Sequence, residues 1–161
     1  MDARTRYFVA RKLGEFNDAA AVPALLEMLD DADGVVQKNA VVALGNIQNL
    51  NNPAAIEKLM VLLGGSLPRE KEMLRVIAGT TLGKIGEPAV PGLAALVADE
   101  KQTFAVRLNA IKALGRSKTT SAAAVDALLP AVTGKDAFLR EAAVESLGQM
   151  RAPQALSLIH I

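Results

Sequence analysis

The sequence predicts an all-α protein, an α-solenoid in which about five helix pairs stack into a right-handed superhelix. Three observations predict this fold. A helix-like run ends in Leu-Gly five times, successive repeat leucines are 31 to 38 residues apart, and each interval holds a second apolar run. A recurring period of this size marks a stacked-repeat architecture. The five pairs are Leu13-Gly14, Leu44-Gly45, Leu82-Gly83, Leu114-Gly115 and Leu147-Gly148.

The segments that end in Leu-Gly are predicted to be amphipathic helices, called the B helices. Positions eight and four residues before the leucine and three after it are mostly apolar, and they share one helical face with it. The residue four before is alanine in four copies, which favours close approach of a neighbouring helix. These alanines are Ala40, Ala78, Ala110 and Ala143.

The second apolar run of each interval is predicted to be a partner helix, called the A helix. These runs begin at Val22, Ala54, Ala89 and Ala123. Several start near a proline, which the first helical turn tolerates. Neither helix buries its apolar stripe alone, but stacking of successive pairs does.

Two segments show the repeat most fully: Val106-Arg107, Ala110 and Leu114-Gly115, and Leu139-Arg140, Ala143 and Leu147-Gly148. This pattern resembles the HEAT-repeat family, specifically its short bacterial form, the PBS-lyase-like HEAT repeats. The resemblance covers residues 2 to about 155. Five copies in register make it specific for the fold, and it implies little about function.

Aspartates and arginines recur at fixed places in the turns. An aspartate eleven residues before the leucine is placed to cap a B helix. In the family that the sequence resembles, such aspartates and the arginines seven residues before the leucine form a ladder along the turns, so we interpret them as structural. They are Asp2, Asp33, Asp136, Arg75, Arg107 and Arg140.

Three positions depart from the regular pattern. The 38-residue interval has its excess in residues 64–72, where glycine, serine and proline predict a loop that is either a binding insertion or a tolerated one. Gly79 lies inside the third B helix at a cost of about 1 kcal/mol, for which close packing and local plasticity are both explanations. Pro130 is expected to kink or end the last A helix.

Both ends of the sequence are expected to be incomplete. Residues 1–16 begin within a B helix, so Tyr7, Phe8 and Val9 would partly lack a neighbour, and residues 151–161 would open a further A helix. The last six residues resemble one reading frame of the transposon-end adapter used for sequencing libraries. We therefore expect a repeat array over residues 1–155 and a non-native segment over 156–161, the alternative for that segment being an ordinary A helix.

Composition excludes several kinds of chemistry. Cysteine is absent and the one histidine is His160, so residues 1–155 hold no Ser-His-Asp or Cys-His arrangement and no thiolate or imidazole metal site. We expect no catalytic residue, cofactor or metal. The net charge of +1 and 3% aromatic content do not favour nucleic acid binding, and no run is long enough to span a membrane. The cellular compartment is not determined, with the cytoplasm as the default.

A candidate binding surface follows from the B helices. Positions six and two before the leucine and two after it share a face beside the buried one, predicted to be the concave side of the solenoid. Here apolar residues accompany basic ones, which favours a peptide or an acidic protein segment, although a merely solvated face is the alternative. The predicted partner-binding residues are Lys38, Val42, Asn46, Thr80, Lys84, Lys112 and Arg116.

The function predicted is therefore a monomeric, non-catalytic scaffold that binds another protein or peptide. The alternative is a fragment of a larger enzyme or regulatory protein, for example a bilin-lyase-like HEAT protein, with its activity outside this segment. Deoxyhypusine hydroxylases also resemble the repeat, but they need His-Glu pairs that this sequence lacks. A DNA-glycosylase-like groove would need aromatic residues and a strong basic stripe.

Overall fold

The computed structural model describes residues 1–117, 119 and 121–150. In this part of the chain all the regular structure is helical, which confirms the predicted α-solenoid. The helices are α1 Ala3–Phe16, α2 Val22–Met28, α3 Gly34–Leu44, α4 Pro53–Gly64, α5 Glu72–Ile85, α6 Val90–Ala98, α7 Phe104–Arg116, α8 Ala122–Val132 and α9 Ala137–Met150. Short 3-10 turns at Ala19–Ala21, Arg69–Lys71 and Glu87–Ala89 precede α2, α5 and α6.

The helices form two layers. Helices α1, α3, α5, α7 and α9 are the B helices, and each packs side by side against the next. Helices α2, α4, α6 and α8 are the A helices, and each packs on the B helix that follows it. Contacts between neighbouring A helices are sparse from α2 to α6 and closer between α6 and α8.

The core lies between the two layers. The repeat leucines of α3, α5 and α7 are fully buried, as are leucines of the A helices that face them. The alanines four residues before the repeat leucine are fully buried too, as the stripe predicts. In α1 the stripe is only partly covered, since Leu13 and Val9 are half-buried and Phe16 is 75% exposed.

The predicted aspartate caps are confirmed. A carboxylate oxygen of Asp2, Asp33 and Asp136 accepts a hydrogen bond from a backbone N–H in the first turn of α1, α3 and α9, at 2.7, 2.8 and 3.0 Å. Thr103 does the same for α7 at 3.3 Å. These contacts satisfy N–H groups that have no partner inside the helix.

The arginines seven residues before the leucine in α5, α7 and α9 bind carbonyls at the end of the preceding A helix or in the turn after it. Arg75 is 4% exposed and donates to the carbonyl of Leu63 in α4. Arg107 donates to the carbonyl of Val97 in α6 at 3.1 Å, and Arg140 donates to two carbonyls just beyond α8. Because the last carbonyls of a helix lack partners, the ladder is structural, as the family resemblance implies.

The first two B helices depart from this ladder. Arg6 reaches forward instead, and its Nε lies 2.6 Å from a carboxylate oxygen of Asp31, in the turn before α3. The pKa of Asp31 is lowered by the hydrogen bond from Arg6 and then by the backbone N–H of Asp33. Gln37 replaces arginine in α3; it is buried, and its Oε1 has no hydrogen-bond partner among the described residues.

At three of the five repeats, the glycine that follows the repeat leucine lies where the next B helix leaves no room for a side chain. A Cβ atom at Gly14 would lie 2.7 Å from the Cα and Cβ of Ala43, and one at Gly115 would lie 2.7 Å from the Cβ of Ser146. Gly83 is similarly confined, with a backbone oxygen 2.8 Å away. The sequence pattern predicts close approach at the buried alanines, but the steric limit lies at these glycines.

Two buried hydroxyl groups form hydrogen bonds between neighbouring B helices. Thr81 Oγ1 donates to the carbonyl of Val41 at 3.1 Å, which ties α5 to α3. Ser146 Oγ donates to the carbonyl of Ile111 at 3.0 Å, which ties α9 to α7. Both residues are buried, and both stand one position before the repeat leucine. Each hydrogen bond therefore joins that position to the preceding B helix.

The irregular positions resolve as follows. The predicted loop over 64–72 lies between the end of α4 and the start of α5, with its charged end inside the 3-10 turn and the first turn of α5. A Cβ at Gly79 would meet its neighbours at 3.5 Å, an ordinary contact, so packing does not require glycine there. Helix α8 continues through Pro130 and ends two residues later, at Val132.

The predictions for the C-terminal segment lie outside the described residues. These are the further A helix over 151–161 and the non-native segment over 156–161. Among the helices that are described, none combines the length and the apolar character that crossing a bilayer demands.

Candidate functional site: the B-helix face

The surface called here the B-helix face consists of the residues six and two before, and two after, each repeat leucine. All of these side chains are exposed or half-buried. The face therefore presents one row of three side chains from each B helix. Its members are Tyr7, Arg11, Glu15, Lys38, Val42, Asn46, Val76, Thr80, Lys84, Leu108, Lys112, Arg116, Glu141, Glu145 and Gln149.

The structure brings some of the predicted partner-binding residues together. Asn46 and Lys84, on neighbouring helices, are joined by a hydrogen bond of 3.3 Å from Nζ to Oδ1. Lys112 and Arg116 line a small cleft of about 100 Å³ that also includes Glu145. The predicted residues thus join into two clusters, one across α3 and α5 and one across α7 and α9.

The other predicted residues contribute exposed side chains to the same face. Lys38 and Val42 lie on α3, and Val42 is 37% exposed. Thr80 is half-buried, and its hydroxyl donates to the carbonyl of Val76 in the preceding turn of α5, at 3.0 Å. Val76 itself is 44% exposed, so α5 offers an apolar side chain rather than a hydroxyl to solvent.

Charge is unevenly distributed along the face. The rows of α3, α5 and α7 carry basic residues without acidic ones, and the row of α9 carries two glutamates. On α1, Glu15 pairs with Lys12 at 2.5 Å and Arg11 at 3.6 Å, and the Lys12 contact lowers the pKa of Glu15. The rows with an excess of positive charge are therefore the middle ones, on α3, α5 and α7.

A groove of about 410 Å³ opens between α7 and α9. The rings of Phe104 and Phe138 meet there edge to face, with centroids 6.3 Å apart and an interplanar angle of 80°. Both rings are exposed, and the groove continues over apolar and charged side chains of the B-helix face. Its lining comprises Phe104, Leu108, Lys112, Phe138, Glu141, Ala142 and Glu145.

The two phenylalanines are the site residues that sequence reasoning missed. Phe104 stands ten residues before its repeat leucine and Phe138 nine before, so neither falls on the three offsets that define the face. Both lie at the start of their helices. The available signal is that each large ring stands just before the buried stripe, whose first residues in these helices are Val106 and Leu139.

A second cleft, of about 740 Å³, lies at the C-terminal ends of α6 and α8 and along the turns that follow them. Its lining mixes Arg107 and Lys135 with Asp126, Asp136 and Glu100. Arg107 is committed there to the end of α6. Among the described residues, no three His, Cys, Asp or Glu side chains come together as metal ligands would.

Stacked helix pairs with an exposed row of B-helix side chains define the class of protein: an α-helical repeat protein. A family model for HEAT repeats matches residues 1–70 and 101–159, which is most of the chain. The chain belongs to the HEAT-repeat family, as its Leu-Gly pattern predicts.

Solved structures agree with this fold. The chain is 22% identical to an engineered protein, with 99% of this chain and 79% of that one covered at a TM-score of 0.50. A designed armadillo repeat protein is 21% identical over 99% and 82% of the two chains, also at 0.50. Human deoxyhypusine hydroxylase in complex with glycerol is 21% identical over 92% of this chain and 80% of that one, at a lower TM-score of 0.44. No curated protein matches the chain.

Proposed function

We propose that this chain is a non-catalytic scaffold that binds a segment of another protein along its B-helix face. The observation that carries the proposal is the continuous row of exposed side chains across the five B helices, with apolar groups set among basic ones. Stacked repeats supply such extended surfaces without any further machinery. The chain's membership of the HEAT-repeat family supports the same reading.

The packing of the two layers supports the concave position of this face. From α1 to α7, neighbouring B helices contact one another more extensively than the A helices α2, α4 and α6 do, whereas the contact between α6 and α8 exceeds that between α3 and α5. In a curved stack of two layers, the more closely spaced layer is the inner one. A partner lying along the inner surface touches several repeats at once, which enlarges the buried area.

The chemistry of the middle rows favours an acidic partner segment. Lys38, Lys84 and Arg116 are exposed, and Val42 and Val76 lie beside them as exposed apolar side chains. Apolar contact supplies affinity, while the basic groups steer and orient an acidic segment. A near-neutral net charge makes a nucleic acid a poorer candidate than a protein.

Photo-cross-linking tests the proposal. A photoreactive residue at Thr80 places the reporter on the B-helix face, and one at Val61, exposed on α4, places it on the A layer. Cross-linking of a protein partner from Thr80 and not from Val61 is the expected result. Equal cross-linking from both positions would contradict the proposed surface.

Charge reversal then tests the basic rows. Lys84→Glu, Lys112→Glu and Arg116→Glu together are expected to weaken capture of the cross-linked partner about tenfold, taking about 0.5 kcal/mol for each exposed pair. The matched control reverses three exposed residues of the turns with the same change in net charge. The control residues are Arg69, Lys101 and Lys135. Unchanged capture by the first variant, or equal loss in both, argues against the proposal, provided that circular dichroism shows both folded.

A further inference from the structure

We propose that the groove between α7 and α9 holds a bulky apolar side chain of the partner, next to a lysine or arginine that pairs with Glu141 and Glu145. This inference rests on the proposed scaffold function and specifies the partner at one end of the B-helix face. The occupant is a peptide segment in which an apolar anchor stands beside a basic residue.

The aromatic pair provides the anchor site. Phe104 and Phe138 are two of the four phenylalanines in the chain, and they are 45% and 69% exposed. Each is supplied by a different repeat, and their edge-to-face contact holds both rings in place before a partner arrives. Leu108 is half-buried and Ala142 buried, so the wall below the rings is apolar as well. Contiguous exposed apolar surface of this kind marks interaction sites.

The carboxylates beside the rings specify the charge of the partner. Glu141 and Glu145 are both exposed and stand four residues apart on α9, where like charges repel. Neither takes part in an ion pair among the described residues. Gln149 donates to Glu145 at 3.1 Å, and the side chain of Glu145 is exposed. A cation brought by the partner relieves this repulsion.

The aromatic rings favour the same cation. A lysine or arginine beside Phe138 gains attraction from the ring face in addition to the two carboxylates. Lys112 is half-buried in the lining of the same groove and belongs to the basic middle rows. The partner segment is therefore expected to be apolar and basic over α9, and acidic over α5 and α7. This alternation fixes the direction in which it lies on the face.

A library of random peptides displayed on phage, selected against the full chain, tests the inference. The expected enrichment is an aromatic or large aliphatic residue next to lysine or arginine. Phe138→Ala is expected to reduce binding of the enriched peptides about tenfold or more, because an anchor pocket carries much of the affinity. Glu141→Gln with Glu145→Gln is expected to reduce it several-fold, with a loss that shrinks as salt increases.

Matched controls remove the same groups elsewhere. Phe16→Ala deletes a ring that is 75% exposed on α1, and Glu27→Gln with Glu57→Gln removes two exposed carboxylates from the A helices. These variants are expected to bind the selected peptides as the unchanged chain does. Equal losses in controls and groove variants would overturn the inference.

The outcomes separate this inference from the proposed function. Enriched acidic peptides that depend on Lys84 and Arg116 but are indifferent to Phe138 would overturn the groove assignment and keep the scaffold. If no enriched peptide depends on any residue of the B-helix face, both proposals fail. Apolar and basic peptides that lose binding in the groove variants support both.

Discussion

Alanine in place of Gly115 tests how the repeats are spaced. The added Cβ would lie 2.7 Å from the Cβ and Oγ of Ser146 and 2.8 Å from its Cα. Because one of these atoms belongs to the backbone, a rotamer change does not relieve the contact, and α7 and α9 must separate. That movement also stretches the 3.0 Å hydrogen bond from Ser146 to the carbonyl of Ile111.

The magnitude follows from opposing terms. Overpacking of a well-packed contact costs about 1–3 kcal/mol, and the stretched hydrogen bond about 0.5–1.5 kcal/mol. Alanine is better than glycine inside a helix by about 1 kcal/mol, which offsets part of the loss. We expect Gly115→Ala to lower the free energy of unfolding by about 1–3 kcal/mol. Gly79→Ala, where a Cβ has ordinary contacts at 3.5 Å, should raise it by about 0.5–1 kcal/mol.

Urea unfolding followed by circular dichroism measures both variants, with the slope checked for two-state behaviour. In a thermal scan, each kcal/mol corresponds to about 2–4 °C for a chain of this size. Ser146→Gly in the Gly115→Ala background should recover part of the loss, and a double-mutant cycle isolates that coupling. If Gly115→Ala is as stabilising as Gly79→Ala, the glycine contacts do not set the repeat spacing.

Three further predictions concern stability. Leu114→Ala should cost about 2–5 kcal/mol because the side chain is fully buried, and Leu13→Ala should cost less because Leu13 is half-buried; urea midpoints compare them, and equal losses would contradict the burial argument. Gln37→Met should raise the free energy of unfolding by about 1 kcal/mol, because it removes an unpaired buried oxygen. Arg75→Met should lower it, because it removes hydrogen bonds to the end of α4. A change of the same sign in both variants would contradict the structural role of the arginine ladder. The pKa of Asp31 is lower in the folded chain than in the unfolded chain, so its contribution to the free energy of unfolding is full above the unfolded value of 3.8 and is lost as pH falls through the folded pKa. Asp31→Asn should therefore flatten the acid side of the profile of stability against pH, measured by urea unfolding. An unchanged profile would refute this.

The repeat pattern predicts the helices because the information is local. Apolar spacing and capping residues such as Asp33 act within one turn, and the structure follows them closely. The reason for glycine after the repeat leucine is not local, since it depends on which residue of the next B helix faces it. That register emerges when Gly115 meets Ser146 across 31 positions of sequence.

The candidate site likewise has one part that the sequence predicts and one part that depends on how the repeats pack. Exposure of Lys84 or Arg116 follows from helical periodicity and could be predicted. The pairing of Phe104 with Phe138 could not, because it depends on the offset between two repeats and on where each helix begins. The unpaired oxygen of Gln37 likewise depends on how its side chain packs, which spacing along one helix does not specify.

The glycine contacts have a mechanical consequence. They hold neighbouring B helices at a fixed separation, while α2, α4 and α6 touch one another sparsely. If the stack bends, we therefore expect the distances between α2, α4 and α6 to change most, and the distances between neighbouring B helices to change least. Side chains on the B-helix face keep their mutual spacing during such bending. We therefore expect bending of the stack to alter the spacing of α2, α4 and α6 more than the spacing of the side chains that the proposed partner segment would contact.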